Sequence, residues 1–268
     1  MAEWARAWAD GPDILVLKRA HPEAELIDAV TARFREIIEQ ERRDRIGGGD
    51  HFAKAGANDR VWNALEKLCL ADPALFARYY ANDMIALASE AWLGPGYQIT
   101  SQINNVRPGG VAQTPHRDYH LGFCSAAQAE RYPSHVHRLS PALTLQGAIA
   151  HVEMPLESGP TLYLPHSQKY AHGYLLADRT DFREYFEKHH VQLPLSKGDA
   201  VFFNPALDRV LAASAEGYAF PTNLDRDPPL GGLAPESVQT VVRRALMEDW
   251  EPKRLNDLLD KLAAKRLS

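Results

Sequence analysis

From Glu23 to Ile38 the apolar residues Leu26, Ile27, Val30, Phe34, Ile37 and Ile38 recur at intervals of three and four, the spacing that gathers them on one face of a helix. The charged run from Glu39 to Arg45 continues it, and Gly47-Gly48-Gly49 stops it. Asn58 or Asp59 is placed to cap a second helix carrying Val61, Trp62, Leu65 and Leu68. Asp72-Pro73 opens a third through Phe76, Tyr80, Ile85, Leu87 and Trp92, ending at Leu93-Gly94-Pro95-Gly96. At Tyr97 the period changes, because Gln98, Thr100, Gln102 and Asn104 alternate with Ile99, Ser101 and Ile103. A period of two suits a strand, and Pro108-Gly109-Gly110 ends it. Leu143 to Val152, Thr161 to Leu164 and Ala200 to Asn204 read as further strands between the turn clusters Glu157-Ser158-Gly159-Pro160 and Lys197-Gly198-Asp199. After Asp208 the helical texture returns, with a Pro/Gly-rich loop from Asp225 to Gly232 and an amphipathic helix from Glu236 through Val241, Val242, Leu246 and Trp250. The pattern predicts a single α+β domain: a helical flank over 1–95, a core of short strands of the sandwich or barrel kind over 96–207, and a C-terminal helical flank over 208–268.

Composition narrows the function classes. At 268 residues, 45% of them hydrophobic, the chain has enough apolar surface for one sizeable core. A net charge of -5 offers no basic field for a phosphate backbone, so nucleic acid is not an expected partner. No run approaches the roughly 18 apolar residues of a spanning helix, and the first residues lack the layout of a signal peptide; no membrane partner and a cytoplasmic location are expected. Cys69 and Cys124 stand far apart, which argues for two buried small side chains rather than a disulfide or thiolate metal site.

Candidate chemistry centres on Thr114-Pro115-His116-Arg117-Asp118. On an extended segment residues i and i+2 project to the same side, so His116 and Asp118 can reach one ion. Nitrogen and oxygen ligands in a 2-His-1-carboxylate facial triad suit iron(II) and leave positions open. The H-x-D pattern alone is weak, since 11 histidines and 18 aspartates in 268 residues predict roughly 0.7 matches by chance. Its setting after a polar alternating strand strengthens it. Arg117 should point away from the metal, to solvent or a salt bridge. Rival ligand sets are His151-Val152-Glu153, close to the strand-ending Met154-Pro155, and His135 with His137, which share a face if extended; His189-His190 reads as a solvated pair beside Lys188.

Three segments together resemble the phytanoyl-CoA dioxygenase family of iron(II)/2-oxoglutarate oxygenases: Gln113-Thr114-Pro115-His116-Arg117-Asp118, then Glu157-Ser158-Gly159-Pro160-Thr161-Leu162-Tyr163-Leu164-Pro165-His166-Ser167, then Lys197-Gly198-Asp199-Ala200-Val201-Phe202-Phe203. Their order and spacing carry the resemblance over about residues 97–207; Gly49-Asp50-His51-Phe52 and Phe220 to Asp227 are similar to bacterial members. The resemblance implies a double-stranded β-helix (jelly-roll, cupin-like) core and Fe(II) held by His116 and Asp118. It also implies 2-oxoglutarate as co-substrate, with dioxygen oxidising a small or medium organic molecule and succinate and carbon dioxide as by-products. Gln102, Asn104, Thr114 and Gln146 are candidates to hydrogen-bond the co-substrate. His166 matches a family histidine that usually closes a loop.

The chain departs from the family at one place. Members run from the Gly-Asp strand into a distal metal histidine and then an arginine for 2-oxoglutarate, whereas here Phe203-Asn204-Pro205-Ala206-Leu207 meets Asp208-Arg209-Val210-Leu211 and no histidine follows His190. A segment of several dozen residues belonging between Leu207 and Asp208 would explain this. Otherwise the chain is a non-catalytic or unusually ligated relative that acts as a binding protein, or His151 or His166 substitutes. A metal-binding cupin-like isomerase or hydrolase is a further class. Arg209 reads as a helix surface residue.

Overall fold

The computed structural model describes residues 1–44, 58–106, 116–118, 126–170, 179–206, 209–210 and 221–223. Helix α1 (Ala2–Ala9) leads into strand β1 (Ile14–Leu17), and the long helix α2 (Ala24–Asp44) follows. The strand β2 (Asn58–Val61) comes next, then helices α3 (Ala64–Ala71), α4 (Pro73–Tyr80) and α5 (Asp83–Leu93). Strand β3 (Gln102–Val106), the short helices α6 (Ala126–Ala129) and α7 (Leu139–Leu143), and strands β4 (Gln146–Ala150) and β5 (Leu162–Tyr163) continue the chain. Helix α8 (Thr180–His189) precedes β6 (Val191–Gln192), β7 (Ala200–Phe203), β8 (Arg209–Val210) and β9 (Pro221–Asn223).

Two antiparallel sheets result, one in the order β1-β7-β4-β9-β3-β2 and one in the order β6-β5-β8. Alternation along the strands assigns their faces. Leu15, Leu17, Ile103, Ile149 and Phe202 pack with Trp8, Phe34, Leu68, Phe76 and Tyr79 of the helices. Ile14, Val16, Ala148, Ala150, Val201 and Phe203 pack with Tyr163 of the smaller sheet and with Met154 and Leu195. The large sheet therefore lies between a helical layer and the small sheet. Each fully buried large apolar side chain of the helical layer, such as Phe34 or Phe76 at 0% exposure, contributes about 1.5–3 kcal/mol.

Several elements differ from the sequence reading, and tertiary pairing explains each. Residues 58–61 form an edge strand against β3, so neither Asn58 nor Asp59 caps a helix; α3 begins only after Asn63. The stretch read as one helix from Asp72 is two, because Asn82 accepts from Ile85 N–H at 3.0 Å and donates to the Ala20 carbonyl at 2.8 Å. Strands β1 and β2 come from the segment expected to be helical, and Arg209 lies in β8, paired with β5. The helix expected from Glu236 lies outside the described residues, as does Cys124. Cys69 is fully buried, and burial followed by the neighbouring Glu66 charge pushes its thiol up to about 12, which leaves it inert. Among the described residues no helix is long and apolar enough to cross a membrane.

The Lys197-Gly198-Asp199 turn ties the layers together. Burial opposes ionisation of Asp199, but the Lys18 ammonium and the N–H groups of Arg19 and Ser196, both at 2.8 Å, hold its carboxyl below the usual range. Gly198, at φ +91°, accepts from His21 N–H and donates to the Ala150 carbonyl. A Cβ at this position would overlap the His21 carbonyl oxygen. Gly198→Ala should therefore cost about 3 kcal/mol through strain and steric conflict. Chemical denaturation would read this loss, and an unchanged midpoint would refute it.

Candidate active site

On the face of the large sheet turned toward the small one, alternation from Ala148 and Ala150 places Gln146 at the end of β4. Gln146 is 2% exposed, and its Nε2 donates to Asp118 Oδ2. Asp118 Oδ1 lies 4.0 Å from His116 Nε2. The amide thus holds one carboxylate oxygen and the other faces the imidazole. His116 Nε2 and Asp118 Oδ1 are the two atoms that would hold an ion between them. The imidazole is mostly covered, with 13% of its side chain exposed, while Asp118 is 34% exposed.

Arg117 accounts for the inward turn of its neighbours. It is only 8% exposed, and its guanidinium donates to the backbone carbonyls of Ser167 and Tyr170, the latter at 3.0 Å. The expectation of a solvent-facing residue is corrected. Arg117 does point away from the pair, but into the turn at Ser167–Lys169, whose carbonyls anchor the H-x-D segment. That turn is held in place by Gln168, whose Nε2 donates to the Gly11 carbonyl at 3.0 Å.

The rival histidines fall elsewhere. His151, 1% exposed, follows β4 on the opposite alternation from Gln146 and so meets the helical layer. Its Nδ1 lies 2.8 Å from Thr31 Oγ1 and its Nε2 2.7 Å from the Tyr79 hydroxyl. Thr31 spends its one proton on the Ile27 carbonyl at 2.7 Å, so Nδ1 donates to Thr31 and Nε2 accepts from Tyr79. Burial, then the adjacent His21, lowers the imidazole to about 3. Both nitrogens are engaged in the core, which removes His151 as a substitute ligand, and Glu153 instead accepts from Lys197 N–H at 3.0 Å. His166 is exposed, at φ +66° in the left-handed region. His137 lies in a helical turn with Nε2 3.2 Å from the Tyr132 carbonyl, not on a strand face shared with His135. His189 packs against Tyr185 with the rings tilted, while His190 is partly buried and caps α8 through the Phe186 carbonyl.

Of the other expected contributors, Gln102 and Asn104 lie on β3 at 2% and 0% exposure, which excludes a solvated sheet face for them. Thr114 lies outside the described residues. Among the described residues no group of three His, Cys, Asp or Glu side chains is placed to hold a metal. Next along β4, a small apolar cavity is lined by Ala148, Ala150, Met154, Tyr163, Leu195 and Val201. Sequence reasoning missed Arg60, which donates to Gln102; the helical spacing of Val61, Leu65 and Leu68 concealed a strand, and Asn58-Asp59-Arg60-Val61-Trp62 carries no alternation that would have revealed it.

Residues 14–207 match the phytanoyl-CoA dioxygenase (PhyH) family. Among solved structures, the non-haem α-ketoglutarate-dependent carbocyclase SnoK from nogalamycin biosynthesis is similar, at 19% identity and a TM-score of 0.56 over 83% of this chain and 82% of that one. AviO1 from Streptomyces viridochromogenes Tue57 shares 18% identity and a TM-score of 0.57 over 88% of this chain and 98% of its own. HygX from Streptomyces hygroscopicus, solved with nickel and 2-oxoglutarate bound, shares 16% identity and a TM-score of 0.53 over 82% and 85%. No curated protein matches the chain significantly in sequence.

Proposed function

The chain belongs to the phytanoyl-CoA dioxygenase (PhyH) family, and we propose that it is an iron(II)- and 2-oxoglutarate-dependent oxygenase acting on a small or medium organic molecule. The observation that carries this reading is the pairing of His116 Nε2 with Asp118 Oδ1 at 4.0 Å while Gln146 secures the other carboxylate oxygen. An imidazole and a carboxylate brought together on one face fit iron(II). When bound, the metal with 2-oxoglutarate and dioxygen supplies the oxidising power. The chain's own residues hold and orient: His116 and Asp118 as ligands, Gln146 fixing the carboxylate, Arg117 fixing the segment, and Gln102 and Asn104 presenting buried amides to a polar co-substrate. The two facing sheets support a double-stranded β-helix as the finer description of the core. The known relatives SnoK and HygX, named for α-ketoglutarate dependence and solved with 2-oxoglutarate respectively, support the co-substrate. A net charge of -5 gives no basic field for nucleic acid, and a cytoplasmic location is part of the proposal.

The third ligand decides between this reading and a second one. Because no histidine follows His190 and His151 is committed to Thr31 and Tyr79, we read the distal histidine and its arginine as belonging to a segment between Leu207 and Asp208. The second reading, a binding protein with an incomplete centre, is favoured by the absent histidine. Intact mass and turnover separate them. A native protein several kilodaltons heavier than 29.9 kDa that converts 2-oxoglutarate to succinate with added iron(II) supports the oxygenase. Agreement with 29.9 kDa and no succinate above background would move the assignment to the binding protein.

A further inference from the structure

The cavity between the two sheets has no part in holding the metal pair, yet it adjoins it. Ala148, Ala150 and Val201 line it from the large sheet and Tyr163 from the small one, with Met154 and Leu195, which are joined by an antiparallel bridge. All six are buried. Ala148 stands opposite Val201 and Gln146 opposite Phe203, and residues directly opposite in an antiparallel pair share a face. Gln146, whose amide holds Asp118, is therefore two residues along β4 from the cavity wall, about 7 Å. The rings of Tyr163 and Phe203 lie 5.2 Å apart between centroids. Tyr163 thus connects the cavity to the cross-strand neighbour of Gln146.

Size and chemistry select the occupant. The space takes about one molecule of the dimensions of water, which excludes 2-oxoglutarate and any organic substrate. Among the lining side chains only Thr161 and Tyr163 carry hydroxyls; the others are hydrocarbon or thioether. A water inside a protein needs two to four polar partners, whereas apolar cavities stay dry and take up apolar guests such as xenon. Open space in a close-packed interior lowers stability, and a larger side chain at Ala148 or Ala150 would fill it. Of the reactants an oxygenase handles, dioxygen alone is small, apolar and free of any need for hydrogen bonds.

We propose that the cavity lined by Ala148, Ala150, Met154, Tyr163, Leu195 and Val201 binds dioxygen and holds it beside the His116–Asp118 pair. Its role in supplying that pair rests on the oxygenase reading; binding of the gas does not. Dioxygen is itself the probe, because it is paramagnetic and speeds the relaxation of protons it touches. On the metal-free full chain under dioxygen pressure, the methyl protons of Ala148, Ala150, Met154 and Val201 should relax several-fold faster than those of Ala64 and Ala88, which are fully buried in the helical layer. Ala150→Val should remove the effect by filling the space, with Val201→Ile as a smaller change in the same wall; each is first shown folded by circular dichroism. With iron(II) added, the variant that excludes the gas should raise the KM for dioxygen in succinate formation several-fold and leave anaerobic 2-oxoglutarate affinity unchanged. Equal relaxation at cavity and helical-layer methyls in wild type overturns the proposal, as does an ordered water in the cavity seen by water-to-methyl transfer. An unchanged KM for dioxygen in a variant that excludes the gas overturns it too. Enhanced relaxation in a wild type that forms no succinate supports the gas site and strikes the oxygenase reading instead.

Discussion

Replacing His116 or Asp118 by alanine should abolish iron(II) binding in the micromolar range and lower succinate formation by at least about a thousand-fold, the several kcal/mol that a metal centre contributes. Each variant leaves one donor where two now stand 4.0 Å apart. Gln146→Ala should be milder. It removes the Gln146 bond to Asp118 Oδ2 without removing either proposed ligand, and loss of a supporting hydrogen bond of this kind costs about ten- to a hundred-fold in metal affinity. The graded order, ligands first and Gln146 second, distinguishes a metal centre from general disruption of the fold. Retention of full metal affinity in His116→Ala would remove the site from consideration, whatever the variant did to stability.

Acid should destabilise the fold strongly between pH 6.5 and 4. Burial, against a smaller opposing influence from Glu23, lowers His21 from its ordinary 6.5 to about 4, and His151 is lowered to about 3, with Asp28 opposing. The two sit around one ring, since His21 stacks on Tyr79 at 4.8 Å and the Tyr79 hydroxyl bonds His151 Nε2. Both imidazoles stay neutral in the folded chain while the unfolded chain takes up protons below 6.5. Their contribution is therefore fully present above that value and is lost as pH falls, at about 1.4 kcal/mol per unit for each histidine. Between pH 7 and pH 5 the combined loss is about 4 kcal/mol, a large part of the 5–15 kcal/mol typical of a domain. Urea unfolding at the two pH values measures it. His151→Phe should be less stable at pH 7, because Tyr79 and Thr31 lose their partner, yet flatter with pH; parallel pH curves for wild type and variant would contradict the assignment.

Local pattern was enough for much of the chain. The spacing of Leu26, Ile27, Val30, Phe34 and Ile38 specified α2, whose buried residues include all five. Alternation specified the strand that became β3, turn clusters set off the strand-like pieces that became β4 and β7, and Gly94 and Gly198 mark a helix end and a turn at positive φ. The pair His116 and Asp118 was legible because an i, i+2 relation on extended chain needs no knowledge of the rest of the fold. What depended on partners distant in sequence was not legible. Residues 58–61 carry a helical spacing but become a strand because β3 offers an edge. Arg117 looked like a surface residue until the carbonyls of Ser167 and Tyr170, 50 and 53 positions away, came within reach. His151 was a candidate ligand by composition and a core residue by place, since one step along β4 separates the face of Gln146 from the face of Tyr79. The sequence by itself determined much of the element periodicity and the family, and it put His116 and Asp118 forward as a candidate pair; tertiary structure decided which face each polar side chain occupies, because that choice is made by strand register and buried hydrogen-bond partners, and neither is a local property of the chain.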